Sequence, residues 1–85
     1  MNSEYTVLIV DDSPADLQMV LNVVKSEYKV LAATSGQQAL ELMNKTIPSL
    51  VILDVTMPDM DGYQTCDQIK EAYPDVLVIF LSAND

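Results

Sequence analysis

Carboxylates follow two apolar segments of the chain, at the point where each segment ends. Asp11 and Asp12 come directly after residues 7–10, and Asp54 comes directly after residues 50–53. Uniformly apolar runs are typical of strands that are covered on both faces of a parallel sheet. Because ligands bind at the carboxyl ends of strands in open α/β sheets, we expect these acids to share one acidic pocket.

Three carboxylates in one pocket repel one another, so either one of them binds a proton or a cation lies between them. Mg²⁺ prefers oxygen ligands, uses one or two carboxylates, retains waters and often completes its shell with phosphate oxygens. A carboxylate beside such an ion can also attack a phosphoryl group and form an aspartyl phosphate. Phosphoryl transfer depends mostly on positioning and charge neutralisation, which this pattern of acids could supply.

The elements that must position these acids alternate as βαβαβαβ. Apolar runs predict strands at residues 7–10, 28–33, 50–53 and 76–81. This alternation implies right-handed crossovers and a parallel sheet. We therefore predict a flavodoxin-like α/β fold with strand order 2-1-3-4, in which the switch point between strands one and three brings Asp11, Asp12 and Asp54 together.

Capping residues and helical spacing predict three helices between these strands. Ser13 as N-cap and Pro14 at the first position begin helix one, which is expected to run to about Glu27. Ser35 caps helix two, and Pro48 is expected to end it. Helix three is predicted at about residues 61–72, and its inward side chains are expected to be Tyr63, Cys66, Ile69 and Tyr73.

Composition excludes several classes of function. The 85 residues allow one small domain, and the net charge of −9 with four basic residues argues against nucleic-acid binding. The absence of histidine excludes a Ser-His-Asp triad and histidine metal sites within this chain. The single cysteine, Cys66, fits a reducing compartment. No signal peptide or membrane-length apolar segment is found in the sequence, so we expect a cytoplasmic protein without membrane contact.

Three motifs resemble those of the receiver domain of two-component response regulators. They are VLIVDD at residues 7–12, ILDVTMPDMDG at 52–62 and FLSA at 80–83, and the resemblance covers all 85 residues. It implies that Asp54 is the phosphoacceptor, that Asp12 binds Mg²⁺ (or Mn²⁺) directly and that Asp11 acts on the ion largely through water. It also implies that Thr56 offers a backbone carbonyl to the ion and that Ser82 hydrogen-bonds the phosphoryl group and moves on activation.

The resemblance also implies a function and partners. A histidine kinase or histidine phosphotransfer protein would donate a phosphoryl group from phosphohistidine to Asp54. The domain would then act as a signalling switch that phosphorylates and dephosphorylates itself, rather than as a turnover enzyme.

The sequence departs from the receiver pattern after strand four. Receiver domains have about five strands, and the lysine that ends the family's fifth strand matches no position here, since Lys70 lies on helix three. We therefore expect residues 1–85 to be a single partial receiver domain that lacks the α4-β5-α5 part. Strand four, VLVIFL, would then be an uncharged edge through which the chain self-associates or swaps elements.

Two other interpretations remain open at this stage. The chain could be a receiver-like interaction module that is not phosphorylated, or an inactive fragment. Taken singly, Asp11 and Asp12 could be solvated acids before a helix, and Asp54 could be a turn residue. Measurable Mg²⁺ binding would distinguish the switch from these alternatives. An EF-hand is excluded because Met57 and Gln68 stand where it needs acidic ligands.

Overall fold

The computed structural model describes residues 5–54 and 62–81. Strands and helices alternate along the chain, as the sequence predicted. In order they are β1 (Thr6–Val10), α1 (Pro14–Val24), β2 (Lys29–Ala33), α2 (Gly36–Met43), β3 (Leu50–Asp54), α3 (Gly62–Ala72) and β4 (Leu77–Leu81).

The strands form one parallel sheet with the order β2-β1-β3-β4, which confirms the predicted topology. Val10 is level with Ala33 on one side and with Leu53 on the other. Asp54, the last residue of β3, is level with Leu81 of β4. The carboxyl ends of the strands therefore lie along one edge of the sheet.

Successive side chains of a strand point to opposite faces of the sheet, so the apolar strands present apolar side chains on both faces. Helices cover both of these faces. On one face, β1 and β3 residues pack with α1; this cluster comprises Val7, Ile9 and Ile52 with Leu17, Val20, Leu21 and Val24. On the other face, they pack with α2 and α3; this cluster includes Leu8, Val10, Val51 and Leu53 with Ala39, Met43 and Ile69. Each fully buried aliphatic side chain contributes about 1.5–3 kcal/mol, so these two clusters fix the strands that carry the acids.

Serine side chains begin α1 and α2, as predicted. The Ser13 hydroxyl accepts a hydrogen bond from the Asp16 N–H at 3.4 Å, and Pro14 occupies the first turn of α1. The Ser35 hydroxyl accepts from the Gln38 N–H at 3.1 Å. Each bond satisfies a backbone donor that has no partner within its own helix.

Helix α1 is shorter than predicted, because it ends at Val24 rather than near Glu27. The Glu27 and Tyr28 N–H groups both donate to the Val24 carbonyl, at 3.0 Å each, and this turn leads directly into β2. The apolar helical spacing also stops at Val24, and residues 25–27 are polar and exposed. Strand β2 accordingly begins at Lys29, one residue later than expected.

The expectation that Pro48 ends α2 is wrong. The helix ends at Met43 with Asn44 as its C-cap, and the Thr46 N–H donates to the Leu42 carbonyl at 3.0 Å. The turn residues Asn44 and Lys45 thus end the helix before the chain reaches Pro48. Pro48 is buried and lies just before β3.

The inward face of α3 was predicted only in part. Ile69 is fully buried, and Cys66 and Tyr73 pack against the core from partly buried positions. Tyr63, however, is 61% exposed, and Thr65 is fully buried instead. The inward stripe runs through positions 65, 66, 69 and 73, so Tyr63 in the first turn lies at its margin.

Side-chain hydrogen bonds hold the far end of α3. The Lys70 ammonium group donates to the carbonyls of Pro74 and Val76, at 3.0 and 2.7 Å, across the turn before β4. The Tyr73 hydroxyl donates to the Asn44 side-chain oxygen at 3.1 Å, which joins α3 to the end of α2. Across residues 5–54 and 62–81, no helix is long and apolar enough to cross a membrane.

Candidate functional site: an acidic cluster at the strand ends

Two adjacent strands deliver the acids to one place. Asp54 is the last residue of β3, and Asp11 directly follows β1, whose last residue is level with Leu53. The Asp11 N–H donates to the Ala33 carbonyl at 3.0 Å, so the backbone of Asp11 is held against β2. Sheet pairing on both strands therefore fixes the backbone positions from which these carboxylates project.

Asp11, Asp12 and Asp54 form a compact cluster. One carboxylate oxygen from each residue lies within 4.8 Å of the others. Asp11 and Asp54 are only 5% and 6% exposed, whereas Asp12 is exposed. The cluster thus has two buried acids at its base and one acid at its solvent-facing rim.

The electrostatics of the cluster raise the pKa of Asp11 above its ordinary value. Burial is the largest cause, because it disfavours the charged form. The Ser13 N–H donates to the Asp11 carboxylate at 2.9 Å and lowers the pKa, but the Asp54 and Asp16 charges and a hydrogen bond with Asp54 raise it. A bound cation would favour the charged form of Asp11 and so oppose the effects of burial and of the neighbouring acids.

The cluster fits a hard divalent cation by the chemistry of its donors. All three ligand groups are carboxylate oxygens, which Mg²⁺ and Mn²⁺ prefer, and no imidazole or thiolate belongs to the cluster. Asp11, Asp12 and Asp54 are the residues that could hold the ion. A cation there would also relieve the repulsion among these acids.

The structure brings together the three acids that the sequence selected, although their separate roles stay predictions. Thr56 and Ser82, which were also predicted for the site, lie outside the described residues. The alternative that Asp11 is a solvated acid before a helix does not hold, because Asp11 is only 5% exposed and accepts from the Ser13 N–H.

Sequence reasoning missed an aromatic contact near this site. The rings of Tyr63 and Phe80 lie with their centroids 5.1 Å apart and their planes tilted by 45°. The helical period had assigned Tyr63 to the inner face of α3. Tyr63 directly follows the motif at 52–62 and Phe80 is the first residue of the motif at 80–83, and these positions were the only signal that could have suggested the contact.

Comparison with known proteins assigns the family. The response regulator receiver domain family matches residues 7–85, which is nearly the whole chain. The chain therefore belongs to the response regulator receiver domains, a class of signalling domain that binds Mg²⁺ at an acidic pocket and interacts with histidine kinases or phosphotransfer proteins.

Individual relatives agree with this assignment. A probable transcriptional regulator, ycf27, of Porphyra purpurea is 38% identical over 84 residues, which is 96% of this chain and 34% of that protein. Histidine kinase P4 of Formosa agariphila is 42% identical over 66 residues, which is 78% of this chain and 5% of that protein. The chain thus spans 34% and 5% of the lengths of these two curated relatives.

A solved structure confirms the fold. The N-terminal domain of a response regulator receiver protein from Methanoculleus marisnigri superimposes with a TM-score of 0.87 at 37% sequence identity. The match covers 96% of this chain and 69% of the other. This chain therefore corresponds to about two thirds of that receiver structure.

Proposed function

We propose that this chain is a phosphoacceptor receiver domain that takes a phosphoryl group on Asp54 and acts as a signalling switch, not as a turnover enzyme. The observation that carries the proposal is the cluster of Asp11, Asp12 and Asp54, with carboxylate oxygens within 4.8 Å of one another at the carboxyl edge of the sheet. Membership of the receiver family supports the same function.

Asp54 is the best nucleophile of the three acids. Its backbone belongs to β3 and pairs with β4, so its carboxylate projects from a rigid element. Asp11 accepts a hydrogen bond from the Ser13 N–H at 2.9 Å, so one of its carboxylate oxygens is already engaged and is less available for attack. Asp12 is exposed at the rim, where it can hold a cation without blocking the approach to Asp54.

In the proposed reaction, an Asp54 carboxylate oxygen attacks the phosphorus in line with the bond to a donor imidazole. The new oxygen–phosphorus bond forms as the nitrogen–phosphorus bond breaks, and the imidazole nitrogen keeps the electron pair. Asp11 and Asp12 would hold Mg²⁺, which when bound neutralises charge on the phosphoryl oxygens. Attack of water on the aspartyl phosphate then releases inorganic phosphate and restores the Asp54 carboxylate.

The phosphoryl donor is proposed to be a histidine kinase or a histidine phosphotransfer protein. This chain contains no histidine, so a phosphohistidine must come from another protein or domain. One relative is itself named a histidine kinase, and it matches this chain over only 5% of its length. We place this exchange in the cytoplasm, which the single free thiol at Cys66 supports.

Two further residues complete the proposed site. The Thr56 backbone carbonyl would provide another oxygen ligand for the ion, and the Ser82 hydroxyl would hydrogen-bond the phosphoryl group. Both roles rest on the match of these positions to the receiver motifs. The lysine that the family places at the end of its fifth strand has no counterpart in these 85 residues, so acceptance by this chain alone is the point to test.

The test is to incubate the chain with a small acyl phosphate and Mg²⁺ and to measure its intact mass. We expect the mass of one phosphoryl group to be added, and the gain to be lost in Asp54→Asn and after removal of Mg²⁺. Asp67→Asn, which changes an exposed acid on α3, is the matched control and should label like the wild type. No gain in the wild-type chain, or an equal gain in Asp54→Asn, would contradict the proposal.

We also propose that the outer edge of β4 binds a second copy of the chain, which is the function that would remain if the chain is not phosphorylated. The strand carries no charged residue, and Leu77, Ile79 and Phe80 are exposed. In a two-fold antiparallel pairing centred on Ile79, Leu77 would face Leu81 of the second copy, so the edge is complementary to itself. The opposite edge of the sheet, β2, begins with a lysine, which discourages such pairing.

A further inference from the structure

The contact between Tyr63 and Phe80 joins two elements that are distant in sequence. Tyr63 is the second residue of α3, and Phe80 is the fourth residue of β4. The ring centroids are 5.1 Å apart and the planes are tilted by 45°, which is a favourable arrangement for two aromatic rings. The contact therefore ties the start of α3 to the end of β4.

Both joined segments flank the proposed phosphoacceptor. Phe80 is level with Leu53, and the next residue, Leu81, is level with Asp54. Helix α3 is the next element after β3 in the chain, and Tyr63 lies in its first turn. A shift of either ring would move backbone that is next to Asp54 in the sheet or close to it along the chain.

The contact lies outside the packed core. Tyr63 is 61% exposed and Phe80 is 41% exposed, and neither residue belongs to the two hydrophobic clusters on the sheet faces. Ile69 anchors the middle of α3 in the core, and Lys70 and Tyr73 hold its far end. The aromatic contact thus acts on the end of α3 that is nearest the acidic cluster.

We infer that Tyr63 and Phe80 are positioning residues for phosphoryl acceptance, whose ring contact keeps the start of α3 and the end of β4 in place around Asp54. This inference rests on the proposed function. Neither ring touches the reacting atoms; the contact acts by limiting the movement of the two segments that border the site. Small misplacements of reacting groups reduce rates strongly, so a peripheral contact can matter for the reaction.

The contact and the site must influence each other equally if they are coupled, because coupling free energies are reciprocal. Occupation of the acidic cluster should therefore change the environment of the Phe80 ring. Phe80 is the single phenylalanine of the sequence, so ¹³C-labelled phenylalanine gives one unambiguous ring signal in NMR spectra. Titration with Mg²⁺, and then with an acyl phosphate, can follow that ring directly.

Three results are expected. The Phe80 ring signal should move with the same half-saturation as Mg²⁺ binding measured by calorimetry. Tyr63→Ala should reduce the rate of phosphorylation about two- to tenfold, which corresponds to the interaction of one aromatic pair. Tyr63→Phe retains the ring and should restore the wild-type rate. Tyr28→Ala is the matched control, because Tyr28 is 42% exposed, belongs to neither hydrophobic cluster and precedes β2 at the opposite edge of the sheet.

The outcomes separate this inference from the proposed function. If the wild-type chain binds Mg²⁺ and is phosphorylated, but Tyr63→Ala reacts at the wild-type rate or the Phe80 ring signal does not move, the positioning role is wrong and the proposed function stands. If the wild-type chain neither binds Mg²⁺ nor gains a phosphoryl group, both are wrong. Urea unfolding of each variant measures how stably it is folded. A midpoint like that of Tyr28→Ala shows that a slower reaction does not result from loss of folded protein.

Discussion

Asp11 and Asp54 are both buried, and their carboxylate groups lie within 4.8 Å of each other across the junction between β1 and β3. Two charged acids in such a position repel each other and destabilise the folded state. Binding of a proton or of a cation between them removes this repulsion. The same sheet pairing that builds the core therefore creates a site that favours divalent cations. Stability and cation binding should be linked through these two residues.

Mg²⁺ binding should depend on Asp12. Loss of groups that merely orient a metal ligand lowers metal affinity about 10–100-fold, so removal of a ligand in Asp12→Ala should weaken Mg²⁺ binding at least as much. Isothermal calorimetry on the wild type and the variant measures this. Asp75→Ala, which removes an exposed acid before β4, should bind as the wild type does. Equal affinity in Asp12→Ala would remove Asp12 from the metal site.

Without metal, Asp11→Asn should increase the free energy of unfolding at pH 7. The folded state raises the pKa of Asp11, mainly by burial, so it binds a proton more tightly than the unfolded state does. Deprotonated Asp11 therefore destabilises the fold above its raised pKa, and this penalty disappears as the pH falls through that pKa towards the ordinary value of 3.8. Asparagine removes the charge but can still accept the Ser13 N–H.

Urea unfolding of both proteins between pH 7 and pH 4 checks this sign. The stability advantage of Asp11→Asn should be largest at pH 7 and should shrink as the pH falls. Mg²⁺ should reduce the advantage at pH 7, because it stabilises the wild-type carboxylate. A wild type that is more stable than Asp11→Asn at pH 7 without metal would contradict the electrostatic account of the cluster.

Lys70 should matter for stability but not for phosphoryl chemistry. Its ammonium group donates to the Pro74 and Val76 carbonyls at 3.0 and 2.7 Å, and hydrogen bonds to charged groups contribute about 1.5–3 kcal/mol each when well sheltered. Because Lys70 is exposed, we expect Lys70→Met to lower the free energy of unfolding by about 1 kcal/mol.

The phosphorylation rate of folded Lys70→Met should match that of the wild type, since Lys70 holds the turn before β4. Lys45→Met, another exposed lysine, is the control for the change of charge. A variant with normal stability and a lost reaction would instead mean that Lys70 serves as the missing phosphoryl-binding lysine.

Self-association should depend on the β4 edge. A lysine on an edge strand opposes pairing with another strand, so Ile79→Lys should lower the dimer fraction measured by light scattering over a range of concentrations. Val23→Lys introduces the same charge at an exposed position on α1 and should leave that fraction unchanged. A wild-type chain that stays monomeric at high concentration would rule out the proposed edge pairing.

The sequence predicted the topology and the acidic cluster because both depend on local signals. An apolar run of four residues is enough to indicate each of β1 and β3, and the position of an acid directly after each run places it at one sheet edge. The sequence alone does not show that Asp11 is buried and Asp12 is exposed, because the conformation of the turn after β1 decides this difference.

The ends of the helices and the surface contacts were less predictable. Helix α1 ends where Glu27 and Tyr28 donate to the Val24 carbonyl, and the types of residues 25–27 alone do not reveal these backbone hydrogen bonds. The Tyr63–Phe80 contact joins residues on different elements, so the period of either element alone cannot reveal it. Local backbone turns and long-range packing therefore decided the features that the sequence did not predict.

The most direct measurement for the central claim is NMR line broadening by Mn²⁺, which prefers the same oxygen ligands as Mg²⁺ and is paramagnetic. If Asp11, Asp12 and Asp54 hold one cation, substoichiometric Mn²⁺ should broaden the amide signals of residues 10–13 and 53–54 first, while Tyr28 and Lys45 stay sharp. Excess Mg²⁺ should reverse the effect. Uniform broadening along the chain, or broadening centred on other acids, would contradict a single cation site at the ends of β1 and β3.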